Sequence, residues 1–447
     1  MKKNKNTKEN VFQLIYRISA IIFLIFIPEI VILKSITAKS GYSEITKIRT
    51  NFCLGFSIFI FILFIVDFIM NKETRKKVLS KKIILVFIGF LLWCLISTLF
   101  SSDIEKSLYG IEYRYGGFFE YLSCFSFGIL GFSLNQKSRS IYFKLFTFIA
   151  LIIAAVNVYN LKVSGNYLPT NDYSGIFYNI NHYGYFISYS VIVVIFLFLN
   201  EKNIILKIVN FIIFCFFTYI LIVNNTFGAY LAVLLTLIFI CIYCGRKNKK
   251  IEFLILLAAF VTLSAITTYN NEYIVRNNFE EFFGDINIIN HELKHSEYEL
   301  GHDANNISYV GNYRGKIWIY AFKYSLRKPI VGYGLDNLAS TYLKDYIYID
   351  TPHNLILNLA ATVGYPGMLL YVGGLIALII KGIKRIKKNN NDLENLVVFL
   401  LIDHFISSMF GVTLYYVIPY FIVFLGMAVD LFDIKENKLK IDKKESL

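Results

Sequence analysis

The sequence predicts an all-α polytopic membrane protein with about 12 transmembrane helices and both termini in the cytoplasm. Three observations support this fold class. The 447 residues are 56% hydrophobic and only 17% charged, whereas about a quarter of the residues in soluble domains are charged. The apolar residues form runs of roughly 17 or more, which is long enough to cross a bilayer. The basic residues are concentrated in short segments between alternate runs.

Twelve apolar runs are the candidate spans. They lie near 11–33, 52–70, 82–100, 117–134, 141–159, 183–199, 204–223, 227–244, 251–269, 355–380, 394–411 and 414–433. The first run is too long for a secretory signal and no small-residue cleavage site follows it, so we expect it to be retained. Residues 1–447 are therefore expected to form a single integral membrane domain.

The distribution of basic residues predicts the orientation. About two thirds of the 45 Lys and Arg residues fall on the cytoplasmic side if both termini are cytoplasmic, and every loop on that side is short. The net charge of +14 therefore needs no nucleic-acid partner. The six cysteines lie in apolar runs, so no disulfide framework is expected, and Cys241 with Cys244 is interpreted as a pair of core residues.

The loop after the third run contains the first chemically distinctive group. Arg114 lies between two tyrosines and is followed by Gly116 and Gly117. Glycines allow the backbone and a phosphate to approach closely, which favours a functional role for this loop. The alternative is an arginine that anchors the helix at the membrane interface without a ligand.

A second polar group precedes the sixth run, within residues 175–184. Asn179, Asn181 and His182 lie among tyrosines and glycines there. Amides form paired hydrogen bonds with hydroxyls, and aromatic rings stack on sugars, so this composition favours glycan binding. The alternative is an interfacial aromatic belt with capping asparagines.

The predicted external loop, residues 270–354, contains the densest chemistry. Arg314 and Trp318 are one turn apart on a helix that must end before Pro329. At the end of the loop, Thr351 is interpreted as a helix N-cap and Pro352 as its first residue, which places His353 in the first turn. The partial positive charge there would keep the imidazole neutral and able to act as a base or orient a hydroxyl.

Two other functions compete with a site built on these residues. His291, Glu292 and His295 match H-E-x-x-H, the motif of zinc metalloproteases, so a zinc membrane metalloprotease is one alternative. The motif lies in a polar loop rather than an apolar span, which favours a solvated helix instead. The second alternative function is a polysaccharide or lipid transporter. The sequence shows no paired inverted repeats and few charges within the spans, which argues against it.

The ordered set of motifs resembles the bacterial O-antigen ligase and polysaccharide polymerase family, whose members are membrane glycosyltransferases of the GT-C type. The resemblance covers residues 110–370 and is strongest over 311–370. It rests on Arg114 with Gly117, Gly175 through Asn181, Arg314, Trp318, Pro329, Gly332-Tyr333-Gly334, His353-Asn354 and Gly364-Tyr365-Pro366-Gly367.

The resemblance implies a metal-independent glycosyltransferase without cofactor in the bacterial cytoplasmic (inner) membrane. It would use an undecaprenyl-pyrophosphate-linked glycan donor and a glycan or lipid acceptor, with membrane lipids around it. Arg314 would bind pyrophosphate and His353 would lie near the acceptor hydroxyl. The implied substrate-binding residues are Arg114, Asn179, Asn181, His182, Lys316, Trp318, Gly332, Gly334 and Asn354.

One position departs from the family pattern. The family commonly has Ser-Arg before the eighth span, where this chain has Thr226 and Phe227. Arg114 or Lys316 would then have to supply the second cation for the pyrophosphate. Polymerases and ligases share the motifs, and the Lys-, Ile- and Asn-rich composition leads us to favour a surface polysaccharide polymerase.

Overall fold

The computed structural model describes residues 11–37, 42–112, 114–159, 177, 179–270, 274–294, 310–311, 314–386, 391–411 and 417–433. Within this part of the chain the regular structure is helical and no β-strand occurs, which confirms the predicted all-α class. The helices are α1 (Val11–Thr37), α2 (Tyr42–Met70), α3 (Lys72–Leu79), α4 (Lys82–Leu99), α5 (Ile104–Tyr109), α6 (Phe118–Ser133), α7 (Gln136–Tyr159), α8 (Ile180–Asn200), α9 (Ile204–Val223), α10 (Phe227–Arg246), α11 (Lys250–Asn270), α12 (Ile274–Lys294), α13 (Arg314–Arg327), α14 (Ala339–Lys344), α15 (Leu355–Thr362), α16 (Gly364–Ile386), α17 (Asp392–Ser407) and α18 (Ile418–Phe432).

Many of these helices have the length and composition of membrane spans. Among the described residues, 8 helices are long and apolar enough to cross a membrane, namely α2, α4, α7, α8, α9, α10, α11 and α16. Shorter apolar helices occur in α1, α6 and α18. The chain is therefore a multi-pass membrane protein. The predicted number of twelve spans and their orientation stay predictions.

The centre of the bundle is α8, whose most apolar window is 94% buried. Helices α9, α10 and α17 pack around it. Helices α6 and α18 approach each other through glycine: a Cβ on Gly131 would lie 1.9 Å from the Val423 carbonyl oxygen, and one on Gly426 would lie 1.9 Å from the Gly128 carbonyl oxygen. Small residues of this kind allow close helix packing in membranes.

The prediction of one continuous helix over 355–380 is wrong. Helix α15 ends at Thr362 and α16 begins at Gly364, whose φ is +73°. A Cβ at Gly364 would lie 2.0 Å from the carbonyl oxygen of Ile330. The helix breaks because the turn after α13 packs directly against its backbone at this point.

Helix α2 also begins earlier than predicted. It starts at Tyr42 rather than near residue 52, so Arg49 lies in a helix and not in an external loop. Arg49 is only 1% exposed, and its guanidinium lies 5.6 Å from the centroid of the Phe177 ring. A buried cation is thus present near the start of α8 that the sequence did not indicate.

A large apolar groove runs along α2, α4, α6 and α18, with a volume of about 750 Å³. Its lining extends on α4 from Lys82 to Leu95, a distance of about 20 Å at helical rise. One end reaches Glu120 and Asn358, and we call it the site end. The other reaches Lys81 and Lys82, and we call it the far end.

Candidate active site

The Arg114 loop joins α5 to α6 at the site end of the groove. Its glycines let it close on itself: Gly110 has φ +83°, and a Cβ there would lie 2.4 Å from the backbone nitrogen of Gly116. The carboxylate of Asp336 then accepts hydrogen bonds from the N–H groups of Ile111 (2.8 Å) and Gly116 (3.1 Å). The loop is fixed by a residue from the other half of the chain.

Arg114 itself forms a bidentate ion pair with Asp350. Its Nε and Nη2 donate to the two carboxylate oxygens, with 2.6 Å between Nη2 and Oδ1. Fork-to-fork pairing of this type is both strong and directional. The structure therefore joins the predicted Arg114 loop to the segment that carries His353.

His353 does not lie in the first turn of a helix, and the prediction that Thr351 and Pro352 start that helix is wrong. The N-cap is Asn354, whose Oδ1 accepts from Leu357 N at 3.1 Å, and α15 begins at Leu355. His353 precedes the cap with φ +50°, in the left-handed region. A non-glycine residue held in that region is uncommon and marks a segment constrained by its surroundings.

Three contacts constrain this segment. The indole N–H of Trp318 on α13 donates to the carbonyl oxygen of Pro352 at 2.8 Å. The backbone N–H of Leu355 donates to Ser408 O at 2.9 Å, and the Asn354 amide donates to Met409 O at 3.1 Å. His353 is thus positioned by α13 on one side and by the end of α17 on the other.

Burial first, and then the nearby Arg114 and Arg314 guanidinium groups, together lower the pKa of His353 to about 4, while Asp350 opposes this shift. The imidazole is therefore neutral at pH 7. The sequence also favoured a neutral imidazole, but for a helix N-terminus that the structure does not provide. Burial and two arginines are the physical cause.

Arg314 begins α13 and is half-buried. No carboxylate among the described residues pairs with it, and its nearest electrostatic neighbours include His353 and Tyr185. A half-buried cation without a counter-ion suits an anionic ligand. Lys316 is exposed, and Trp318 lies on the half-buried face with Arg314, as the one-turn spacing predicted.

The polar group before α8 packs beneath this site. Asn179 is the N-cap of α8, and its Oδ1 accepts from the N–H groups of Asn181 and His182. His182 is 4% exposed and has Arg114, Arg49 and His353 as electrostatic neighbours. Gly175 lies outside the described residues. The structure thus brings His182, Arg114, Arg314 and His353 together, and Asn179 serves as a cap.

The Gly332-Tyr333-Gly334 turn packs against the end of α15. The N–H groups of Tyr333 and Gly334 donate to Ala361 O and Thr362 O, both at 2.9 Å. The φ values of Gly332 and Gly334 are +69° and +96°, which glycine adopts without strain. These amides close the C-terminus of α15, and direct contact of either glycine with substrate stays a prediction.

Phe227, where the family commonly has an arginine, contacts a helix of the predicted external loop. Its ring lies 5.4 Å from that of Phe279 and 5.5 Å from that of Phe282, both on α12. The departure from the family pattern therefore creates an aromatic contact between α10 and α12.

The H-E-x-x-H motif falls at the end of α12, where His291 and Glu292 are helical and His295 lies outside the described residues. Within the described residues, no group of three or more His, Cys, Asp or Glu side chains is arranged to hold a metal ion. The zinc alternative stays a prediction.

Sequence reasoning missed Arg49 and Glu120. Glu120 is 6% exposed and lines the site end of the groove. The signal for Glu120 was visible, since it is an acidic residue within the predicted span 117–134, and ionisable residues in spans are often functional. Arg49 could have been found only by extending the second span toward the N-terminus.

Comparison with known proteins gives one family match. Residues 211–372 match the family model described as O-antigen ligase. This region includes Arg314, Trp318 and His353, whereas Arg114 and Asn179 precede it. No match to the chain was found among curated proteins. The match over residues 211–372 of this multi-pass membrane protein supports the predicted resemblance to the O-antigen ligase and polymerase family.

Proposed function

We propose that the protein is a membrane glycosyltransferase that moves glycan from an undecaprenyl-pyrophosphate donor to an acceptor hydroxyl at the outer face of the cytoplasmic membrane. The observation that carries this proposal is the apolar groove of about 750 Å³ that ends beside the cluster of Arg114, Arg314 and His353. A polyprenyl tail requires an apolar environment, and its pyrophosphate requires cations. The groove and the cluster supply both at adjoining positions.

Arg314 is the proposed ligand of the pyrophosphate. Its positive charge is not neutralised by a described carboxylate, and it is held at the start of α13 beside His353. A fixed cation aimed at the leaving group stabilises the charge that develops in the transition state. Arg114 could add a second contact by exchanging Asp350 for a phosphate oxygen, and exposed Lys316 is the other candidate for this contact.

The reaction is a single displacement at the anomeric carbon of the donor sugar. The acceptor oxygen forms a bond to that carbon, the bond from carbon to pyrophosphate oxygen breaks, and the pyrophosphate keeps the electron pair. The proton of the acceptor hydroxyl passes to His353, which is neutral because its pKa is lowered to about 4. A bound pyrophosphate would raise that pKa by adding negative charge, so donor binding would make His353 a better base.

We favour a polymerase of surface polysaccharide over a ligase. This preference rests on the Lys-, Ile- and Asn-rich composition of the chain, which suggests a low-GC bacterium with a capsular or related polymer. The two reactions share the same donor chemistry and differ in their acceptor.

Analysis of lipid-linked glycans from a strain that lacks the protein tests this proposal. Accumulation of single repeat units is expected for a polymerase, and accumulation of full-length lipid-linked chains would instead indicate a ligase. Complementation with Arg314→Ala or His353→Ala should fail. Complementation with Arg327→Ala, an exposed arginine on the same helix, should succeed. A lipid-linked pool identical to that of the parent strain would contradict both activities.

A further inference from the structure

Glu120 lies at the junction of two cavities. It is in the first turn of α6 and 6% exposed, and it lines the site end of the apolar groove. It also lines a smaller polar cavity of about 40 Å³, whose other walls include Arg114, Asp336 and Asp350. A carboxylate in this place is at the boundary between the proposed tail groove and the proposed reaction site.

One oxygen of Glu120 lacks a partner. Oε1 is buried and accepts no hydrogen bond from any described residue. Arg114, the arginine of this cavity, pairs with Asp350 and not with Glu120. A buried polar atom without a partner destabilises the folded state, and such atoms in native proteins often mark a ligand position.

The shape of the cavity leaves room beside Glu120. A Cβ on Gly116 would lie 3.4 Å from Oε2 of Glu120 and 3.4 Å from Oδ2 of Asp336. Asp336 uses this Oδ2 for the backbone of Ile111 and Gly116. Glycine at position 116 therefore leaves a small space between Asp336 and Oε2 of Glu120, beside the carboxyl group whose other oxygen, Oε1, has no partner among the described residues.

The lining residues and the volume of the smaller cavity indicate which chemical group it can bind. Three carboxyl groups and one arginine line it, and while Arg114 stays paired with Asp350 the cavity does not favour a phosphate. A volume of about 40 Å³ admits a group the size of a hydroxyl or a water molecule. Oε1 of Glu120 has no donor among the described residues, and a carboxyl oxygen accepts hydrogen bonds, so a hydroxyl group suits this position.

We infer that Glu120 binds a sugar hydroxyl of the substrate, through a hydrogen bond from that hydroxyl to its carboxylate. This inference rests on the proposed glycosyltransferase function and adds a substrate-binding residue to it. The hydroxyl belongs either to the donor glycan or to the acceptor glycan. Both have the same chemistry, and separate kinetic measurements distinguish them.

The test uses the full-length protein in lipid nanodiscs, with a lipid-linked repeat unit as donor and a glycan of the same repeat as acceptor. Initial rates are measured while each substrate is varied in turn. Glu120→Ala is expected to lower kcat/KM by roughly twofold to tenfold, the range for the loss of one hydrogen bond. Glu120→Gln keeps an acceptor oxygen and a similar shape, so its loss should be smaller.

The pattern of KM identifies the source of the hydroxyl. A higher KM for the acceptor alone assigns Glu120 to the acceptor glycan, and a higher KM for the donor alone assigns it to the donor. Glu105→Gln, an exposed residue on α5, is the matched control and should leave all constants unchanged. Thermal unfolding of each variant separates loss of folded protein from loss of binding.

Two outcomes would overturn the inference. If Glu120→Ala retains wild-type kcat and both KM values per folded molecule while Arg314→Ala is inactive, the carboxylate has no role at the site and the proposed function stands. If the wild-type protein transfers no glycan, the proposed function and this inference both fail.

Discussion

The two ends of the apolar groove contain clusters of charged residues that are built differently. At the far end, Asp430 on α18 receives Lys77 at 3.0 Å, Lys81 at 3.8 Å and Arg139 at 2.5 Å. At the site end, Arg314 has no described carboxylate partner and Glu120 has an unpaired oxygen. Each far-end cation thus has a carboxylate partner, although Nε of Arg139 makes no hydrogen bond within the described residues, whereas Arg314 has no such partner in the same part of the chain.

This difference separates a structural cluster from a functional one. The far-end cations come from α3, from the residue before α4 and from α7, so their pairing with Asp430 connects three elements to α18. Native proteins pair nearly all their buried polar groups, and exceptions concentrate at functional sites. The comparison therefore predicts loss of activity from changes at the site end and loss of stability from changes at the far end.

The largest effect is expected for His353→Ala. Loss of a positioned base should lower kcat by about a hundredfold to ten-thousandfold, with little change in thermal unfolding. Because the pKa of His353 in the free protein is lowered to about 4, the wild-type kcat/KM should be flat between about pH 6 and 8 and fall only as the pH drops through about 4, whereas kcat, measured with donor bound, should fall at a higher pH. An ordinary histidine would instead lose activity below about pH 6.5.

The same lowered pKa links His353 to stability. The unfolded chain takes up a proton near pH 6.5 that the folded protein does not, so His353 should weaken folding as the pH falls from about 6.5 to 4 and not above that range. Urea unfolding of wild type and His353→Gln at pH 7 and pH 5 measures this effect. An equal drop in both proteins would show that the site histidine is not its source.

The far end should respond to Asp430→Ala in stability alone. Removal of the shared carboxylate leaves Lys81 and Arg139, which are 6% and 4% exposed, without their partner. Breaking a buried pair in this way costs about 3–5 kcal/mol. Thermal unfolding in nanodiscs measures the loss, and the kcat of the folded fraction should stay at the wild-type value.

A surface pair is the control for Asp430. Arg276 and Glu280 on α12 are 66% and 60% exposed, so Glu280→Ala should change stability by less than about 1 kcal/mol. If Asp430→Ala lowered kcat without lowering the unfolding temperature, the division between a structural and a functional end would be wrong.

Arg314→Ala should have the opposite effect to Asp430→Ala: kcat should fall while stability is unchanged. Loss of one positioned electrostatic group typically lowers kcat by about 10²–10³, and no ion pair in the described residues is broken. Arg314→Lys should recover only part of the rate, since a lysine lacks the planar fork that fits phosphate. Arg327→Ala on the same helix is the control. A normal rate for Arg314→Ala would remove the proposed pyrophosphate contact.

Local signals predicted part of this site correctly. The Arg314 and Trp318 spacing placed both on one helix, and that helix ends at Arg327, before Pro329 as expected. The helix start near His353 was wrong because Thr351-Pro352 is an equally good local signal. The choice of Asn354 depends on its bond to Met409, which is 55 residues away. Such a contact cannot be read from a single sequence.

The partners of the charged residues at the site also could not be predicted from the sequence. Arg114 and Asp350 are 236 residues apart, and Asp336 is 225 residues from Ile111. Without these pairings, Arg114 looked like a free cation for phosphate, whereas the structure neutralises it with a carboxylate. Composition and hydropathy predict which elements lie in the membrane. The site instead depends on which loops contact each other at the membrane edge, and these two properties do not determine that.

The smallest effect is expected for Trp318→Phe, and it tests whether the site end depends on exact positioning. The 2 tryptophans make similar bonds: Trp318 donates to Pro352 O at 2.8 Å and Trp93 to Val363 O at 2.9 Å. Each substitution removes one hydrogen bond, worth about 0.5–1.5 kcal/mol.

Both variants should therefore lose similar stability, but only Trp318→Phe should also lower kcat, by up to about tenfold, because Pro352 directly precedes His353. Kinetics and thermal unfolding of the two variants in parallel measure this difference. Equal loss of kcat in both would show that the segment before α15 tolerates displacement, and His353 would then act without precise placement by α13.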